Sequence, residues 1–286
     1  FLQVNPKIIK SPCPENADFQ NTLFVPITGN PAGYHHLVLA ELALRQRPEL
    51  SRVVYLLSSG HHPDPFKRST TLPKDIRLQL IQDLLASLHL DSGNRLNVIV
   101  DQAGETLRLR QVELFVSIIE FQCEGQVRLL NNVKNIRTAL VSDRDYKSQR
   151  IQVLVGGDLI NRMQDPQIFS EADMKEMSNL AEWLVVPRPG EWVAESFAEG
   201  LSLKQKILDP DLLPIALKSY LNLSSTIIRR AVYCGQQLSA YLPDKAIEHL
   251  DEYFANGLSK KIAEVSEWEA RIQELEKELL EISRKV

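Results

Sequence analysis

A histidine set three residues into a helix, just past a glycine-bearing turn, can meet an anion together with the helix end. Thr28-Gly29-Asn30-Pro31-Ala32-Gly33, followed by Tyr34-His35-His36, has that arrangement. Glycine lets backbone N–H groups come close to a ligand, the helix start carries positive potential, and His36 adds a ring donor. The turn is neither G-x-x-x-x-G-K-[ST] nor G-x-G-x-x-G, so neither of those phosphate-loop patterns is present. Read plainly, the same residues are a surface histidine pair.

A second cluster lies far downstream, Asn222-Leu223-Ser224-Ser225-Thr226-Ile227-Ile228-Arg229. Ser224, Ser225 or Thr226 supplies an N-cap, which puts Arg229 within about a turn of the helix start. Hydroxyls, unpaired helix amides and a guanidinium then converge as an anion cradle, though an ordinary capped helix with solvated arginines has the same sequence. Gly156-Gly157-Asp158 offers close backbone approach and a carboxylate suited to a ribose, or else a tight turn with a capping aspartate. Lys67 and Arg68 stand among Pro63, Pro65 and Pro73 as cations able to clamp phosphate, or as a solvated loop. His61-His62 has no partner pair at metal-ligand spacing, and Cys13, Cys123 and Cys234 form no C-x-x-C, so neither a metal site nor a redox dithiol is expected.

The elements that must position these residues follow from hydrophobic pattern. Leu23–Ile27 reads as a strand, Tyr34 to about Arg45 as a helix, and Val53–Leu57 as a strand buried on both faces, because its apolar residues do not alternate. A helix carries Ile76, Leu78, Leu80, Ile81, Leu84 and Leu85; Leu96–Val100 is expected as a third strand and Leu107–Phe121 as a third helix. Ile151–Val155 and Trp183–Val186 complete the strands. Strands alternating with helices predict an α/β fold with a doubly wound, mostly parallel sheet, and place ligands at the carboxyl ends of the strands. The glycine-rich and polar segments 28–36, 58–68, 101–106, 156–158 and 187–190 fall at those ends.

The ends of the chain differ from its middle. Residues 1–21, with Asn5-Pro6 and Ser11-Pro12-Cys13-Pro14, read as an arm or loop. From Leu258, apolar Val265, Trp268, Ile272, Leu275, Leu279, Ile282 and Val286 recur at steps of three and four between mixed charges. This heptad stripe predicts a C-terminal amphipathic helix that either packs on its own domain or pairs with another chain by self-association. The expected division is therefore an arm at 1–21, an α/β domain at 22–257 and the heptad helix at 258–286.

Composition narrows the class. At 44% hydrophobic and 24% charged the 286 residues can bury a sizeable core, and a net charge of −4 gives no pull toward nucleic acid or anionic membrane. No apolar run approaches the roughly 18 residues of a membrane span. The sequence opens on Phe1 rather than methionine, which fits a trimmed start. The odd cysteine count, with no secretory leader in the sequence given, leads to the expectation of a reducing intracellular compartment, cytoplasmic or nuclear.

Taken in order, these pieces resemble the nicotinamide/nicotinate mononucleotide adenylyltransferase family in its eukaryotic branch. They are Thr28-Gly-Asn-Pro with His36, Lys67 with Arg77, Glu105-Thr106, Gly156-x-Asp158, Pro187-Arg188-x-Gly190 and Ser225-Thr226-x-x-Arg229. Leu223-Ser-Ser-Thr-Ile-Ile-Arg229 is similar to the family's Ile-Ser-Ser-Thr-x-x-Arg, and Gln164–Met174 to a segment of the eukaryotic members. The resemblance covers about residues 22 to 255 and implies a Rossmann-like nucleotidylyltransferase fold that uses ATP and Mg²⁺. The implied reaction moves AMP from ATP to a pyridine mononucleotide in NAD biosynthesis, with release of pyrophosphate. It implies catalytic roles for His36, Arg229 and Lys67. Thr28, Gly29, Asn30, His36, Gly156, Asp158, Ser225, Thr226 and Arg229 are the implied ATP contacts, and Glu105, Thr106, Phe169 and Arg188 those of the second substrate. The sequence departs from the family at Ile27-Thr28-Gly29, where a glycine-x-phenylalanine is expected, and at Gly33, which takes the first place of a His/Thr-x-x-His pair. Gly104 and Phe169 stand where two tryptophans flank the pyridine ring, a loss of about 1–3 kcal/mol of stacking per ring. An altered acceptor pocket would leave an ATP hydrolase or a non-catalytic ATP-binding interaction protein as the alternative.

Overall fold

The structure is a computed structural model that describes residues 2–3, 6–15, 20–60, 71–90, 96–99, 106–109, 112–122, 129–140, 150–163, 169–187 and 205–255. Two short strands come first, β1 (Leu2–Gln3) and β2 (Lys7–Ile9). Then β3 (Thr22–Ile27) leads through the glycine turn into α1 (Tyr34–Gln46), and β4 (Arg52–Leu57) is followed by α2 (Lys74–Ala86). β5 (His89–Leu90), β6 (Leu96–Ile99), β7 (Thr106–Leu109) and β8 (Glu113–Ser117) precede a 3₁₀ turn at Ile119–Gln122. Next come α3 (Leu129–Leu140), β9 (Ile151–Gly156), α4 (Gly157–Met163), α5 (Glu171–Leu180), β10 (Ala181–Val186) and β11 (Gln205–Ile207). The short α6 (Ile215–Lys218), then α7 (Ser225–Tyr233) and α8 (Asp244–Ala255), end the described chain.

Seven strands form one sheet in the order β11-β10-β9-β3-β4-β8-β2, and every pairing in it is parallel. Successive residues on these strands feed opposite faces, so a continuous apolar run requires cover on both sides. Val53, Tyr55 and Leu57 join one core with Leu37 and Leu42 of α1 and Ile81 and Leu84 of α2. Val54 and Leu56 join the other, with Val133 of α3, Ile160 of α4, and Met174 and Met177 of α5. Chain order reverses between the central neighbours β3 and β9, which makes the carboxyl ends of those two strands the topological switch point of the sheet. A third apolar cluster ties the C-terminal helices to the body: Leu80 of α2, Ile228 and Ala231 of α7, and Ala246, Leu250 and Phe254 of α8.

Three expectations need correction. Leu96–Ile99 is not a strand of the main sheet; it lies in a separate four-stranded sheet, β1-β5-β6-β7, whose pairings are antiparallel. The helix expected over 107–121 is replaced by β7 and β8. Thr106-Leu-Arg-Leu109 alternates with a period of two, and Leu114-Phe-Val116 is a buried run beside β4, so both read as strands once length is weighed against periodicity. The proline-rich arm contributes β2, which pairs with β8 at the edge of the main sheet. The heptad stripe, within 256–286, lies outside the described residues. Among the described residues no helix is long and apolar enough to cross a membrane.

Candidate functional site

The switch point gathers most of the residues singled out by sequence. At the end of β3 the chain turns through Gly29 at φ 65°, a left-handed conformation that a side chain at this position would strain. A Cβ there would also come within 2.7 Å of Leu57 Cδ1. Thr28 is exposed, whereas the Asn30 side chain is buried and accepts the Leu72 N–H at 2.9 Å, which ties the turn to the segment entering α2.

Gly33 caps α1 without a side chain. Its N–H donates to His36 Nδ1 at 3.2 Å, so this ring nitrogen is an acceptor and the neutral imidazole carries its proton on Nε2, as a donor. The plain reading of a surface histidine pair fails here. His35 and His36 are both buried, with ring centroids 3.8 Å apart. The absence of a side chain at Gly33 has a physical reason: a Cβ would meet the Tyr241 carbonyl at 2.8 Å and Ile228 Cδ1 at 2.7 Å. The Tyr241 carbonyl is fixed because it also accepts the Tyr34 N–H at 3.0 Å.

The start of α7 docks onto this turn. Of the three hydroxyl residues, Ser224 is the N-cap, its Oγ accepting the Ile227 N–H at 3.3 Å. That leaves Ser225 Oγ to donate to the Pro31 carbonyl at 2.9 Å. Arg229 donates from Nη1 to the Asn30 carbonyl and from Nη2 to Thr226 Oγ1, the latter at 3.1 Å. Buried Ile228 anchors the same helix turn in the third apolar cluster. Thr28, Gly29, Asn30, His36, Ser225, Thr226 and Arg229 are thus brought together where the helix starts of α1 and α7 meet. Gly156 ends β9; continuing the β3–β9 register, in which Leu23 faces Gln152 and Phe24 faces Val153, brings it level with Ile27, with Asp158 in the first turn of α4.

The second-substrate residues are less gathered. Thr106 opens β7 in the separate antiparallel sheet. Phe169 is partly buried against the second apolar core, beside the N-cap Ser170 of α5. Lys67, Glu105 and Arg188 lie outside the described residues, as do Arg68, Gly104 and His61-His62. Among the described residues no three of His, Cys, Asp and Glu gather as a metal site.

Sequence reasoning gave no role to the polar groups beneath the turn. Arg77 of α2 is 1% exposed and donates to three carbonyls: Thr28 at 2.7 Å, Ser58 at 2.9 Å and Leu72 at 2.9 Å. Burial pulls its guanidinium down to about 10, against the opposing pull of Glu120. Glu120, buried past the end of β8, accepts the Ser59 N–H at 2.7 Å and a hydrogen bond from the Asn132 amide. Burial raises its carboxyl above the usual carboxylate range, while the Ser59 N–H, Asn132 and Arg77 oppose that rise. Arg77 was visible in the sequence as part of the family pattern; nothing in its spacing signalled burial.

Comparison with known proteins bears on the fold. No protein-family model matches the chain. One curated protein, nicotinamide/nicotinic acid mononucleotide adenylyltransferase 2 of Saccharomyces cerevisiae, is 27% identical over 114 residues, 39% of this chain. The match spans 28% of that relative's length. Among solved structures, Plasmodium falciparum nicotinic acid mononucleotide adenylyltransferase complexed with APC superposes with a TM-score of 0.55 at 10% identity, covering 82% of this chain and 95% of that one. The same enzyme complexed with NaAD gives 0.57 at 10% identity, covering 82% and 96%. The doubly wound sheet is therefore the fold of those solved enzymes, and a stretch of 114 residues is similar in sequence to the yeast adenylyltransferase.

Proposed function

We propose that the chain binds ATP where the Thr28–Gly33 turn meets α7 and transfers AMP to a pyridine mononucleotide. The observation that carries this reading is the seam itself. Ser225 and Arg229 are locked to the Pro31 and Asn30 carbonyls, so a hydroxyl, a guanidinium and two helix starts face one strand end. The names of the similar proteins supply the substrate class.

In the proposed step a phosphate oxygen of the mononucleotide attacks the α-phosphorus of ATP. The bond to the bridging oxygen breaks, and pyrophosphate leaves with the electron pair. The protein's part is positioning and charge neutralisation. His36, with its proton on Nε2, donates to a phosphate oxygen, while Arg229, Thr226 and Ser225 hold the outer phosphates and Lys67 a further one. Gly156 and Asp158 line the adenosine. Mg²⁺, when bound with the nucleotide, would supply further neutralisation of the phosphate charge.

Phe169 favours a second reading for the acceptor. Its partial burial against the core leaves less ring surface for a pyridine than a free aromatic would offer. An altered acceptor pocket would give ATP hydrolysis, or ATP binding without turnover. Incubation with ATP, Mg²⁺ and either nicotinamide or nicotinate mononucleotide, with products identified, decides among these. NAD or its deamido form supports transfer, ADP with phosphate supports hydrolysis, and absence of ATP binding overturns both. Arg229→Ala is expected to weaken ATP binding by about tenfold or more, the worth of a charge-assisted contact to phosphate. An unchanged ATP affinity in that variant would remove the arginine from the site.

A further inference from the structure

Arg77 sits beneath the turn rather than in it. One nitrogen, Nη1, donates both to the Thr28 carbonyl past the end of β3 and to the Ser58 carbonyl past the end of β4, while Nε holds the Leu72 carbonyl ahead of α2. Three segments that approach the site from different elements therefore share one rigid, planar donor. The chain leaving β4 closes over it. Gly60 has φ 84°, and a Cβ there would lie 2.8 Å from Arg77 Nη2 and 3.2 Å from Cζ. The next residue back, Ser59, is fastened through its N–H to buried Glu120. Asn132 of α3 holds the other oxygen of that carboxylate, and the Phe121 ring lies 5.6 Å from the guanidinium carbon. A cation this deeply buried needs its acceptors, and each acceptor here is a backbone carbonyl beside the candidate site.

We propose that Arg77 is a positioning residue: with Glu120 behind it, it fixes the spacing between the Thr28–Gly33 turn and the end of β4, and so presets the turn for phosphate. The proposal rests on the reading of that turn as a nucleotide-phosphate site. Lysine keeps the charge but loses the planar fork that holds Thr28 and Ser58 through Nη1 and Leu72 through Nε at once, so Arg77→Lys should release the turn while α2 stays helical.

The test follows amide hydrogen exchange across the full-length protein together with calorimetric titration of ATP and Mg²⁺. In Arg77→Lys, amides of 27–36 and 58–60 should exchange about tenfold faster, the worth of one lost charge-assisted hydrogen bond, with those of β10 unchanged. ATP affinity should fall by about the same factor. Gly60→Ala keeps the arginine but pushes a methyl against it, and should loosen the same two segments. Uniform acceleration through β10 would reduce Arg77 to a general stabiliser and overturn the proposal, as would unchanged exchange in the turn of both variants. If the wild-type protein binds no ATP, the phosphate reading falls, and the exchange pattern still decides whether Arg77 sets the turn.

Discussion

At the scale of single residues, Gly33 shows how a departure from a family pattern acquires a cause. The sequence shows only that a side chain expected there is missing; the structure shows the Tyr241 carbonyl and Ile228 in its place. Gly33→Thr, which restores a residue type of the family pattern, should therefore lose about 1–3 kcal/mol of stability, the usual penalty of overpacking. Urea unfolding measures it, and a neutral or stabilising result would mean that the 238–242 segment yields easily. His36 and the Ser225–Arg229 run were legible beforehand, because a helix start advertises itself through cap residues and glycine. Their internal bonds were not. Sequence left three hydroxyls open as the cap, and the choice of Ser224 depends on the Pro31 carbonyl claiming Ser225.

At the scale of elements, α7 is a site helix held by contacts remote from the site. Its Ile228 and Ala231 pack with Leu250 and Phe254 of α8, and α8 in turn is fastened to α2, where His249 Nδ1 meets buried Asp83 at 2.6 Å. Leu250→Ala removes a side chain that is 1% exposed and should cost about 2–5 kcal/mol. Thermal unfolding checks the cost, and a shift expected of a surface substitution would mean that α8 contributes little to the fold. The strands β3, β4, β9 and β10 and helices α1 and α2 could be read from the sequence because continuous apolar runs and helical spacing survive without tertiary context. β7 and β8 could not, because a strand–helix alternation established upstream suggested a helix where short periods of two are the better guide. The antiparallel sheet was illegible for a related reason: β5 and β1 have two residues each, too few to carry a pattern.

At the scale of the whole molecule, the buried Glu120 should leave a mark on stability against pH. Burial raises its carboxyl, so the folded state holds this proton more readily than the unfolded chain does. Its favourable contribution is fully present below the ordinary carboxylate range and is lost as pH rises through the folded value. Glu120→Gln should flatten that fall. Unfolding free energies of both proteins, compared between about pH 4 and 8, test it. Identical slopes would show that the carboxyl titrates as it does in the open chain. No sequence pattern announced the group, since its neighbours Ser59, Asn132 and Arg77 come from three separate stretches of chain. The doubly wound class, by contrast, was legible from alternation alone, because the parallel sheet demands apolar strands and covering helices throughout.

One pairing in that sheet bears on how the protein is made. Lys7 of β2 lies opposite Phe115 of β8. During synthesis the earlier strand leaves the ribosome long before its neighbour exists, and the central β3 waits longer still to close against β9. β3 has β4 and α1 close by in sequence, but its other edge stays open until β9 follows, so that edge is the part of the central strand that the growing chain leaves unpaired longest.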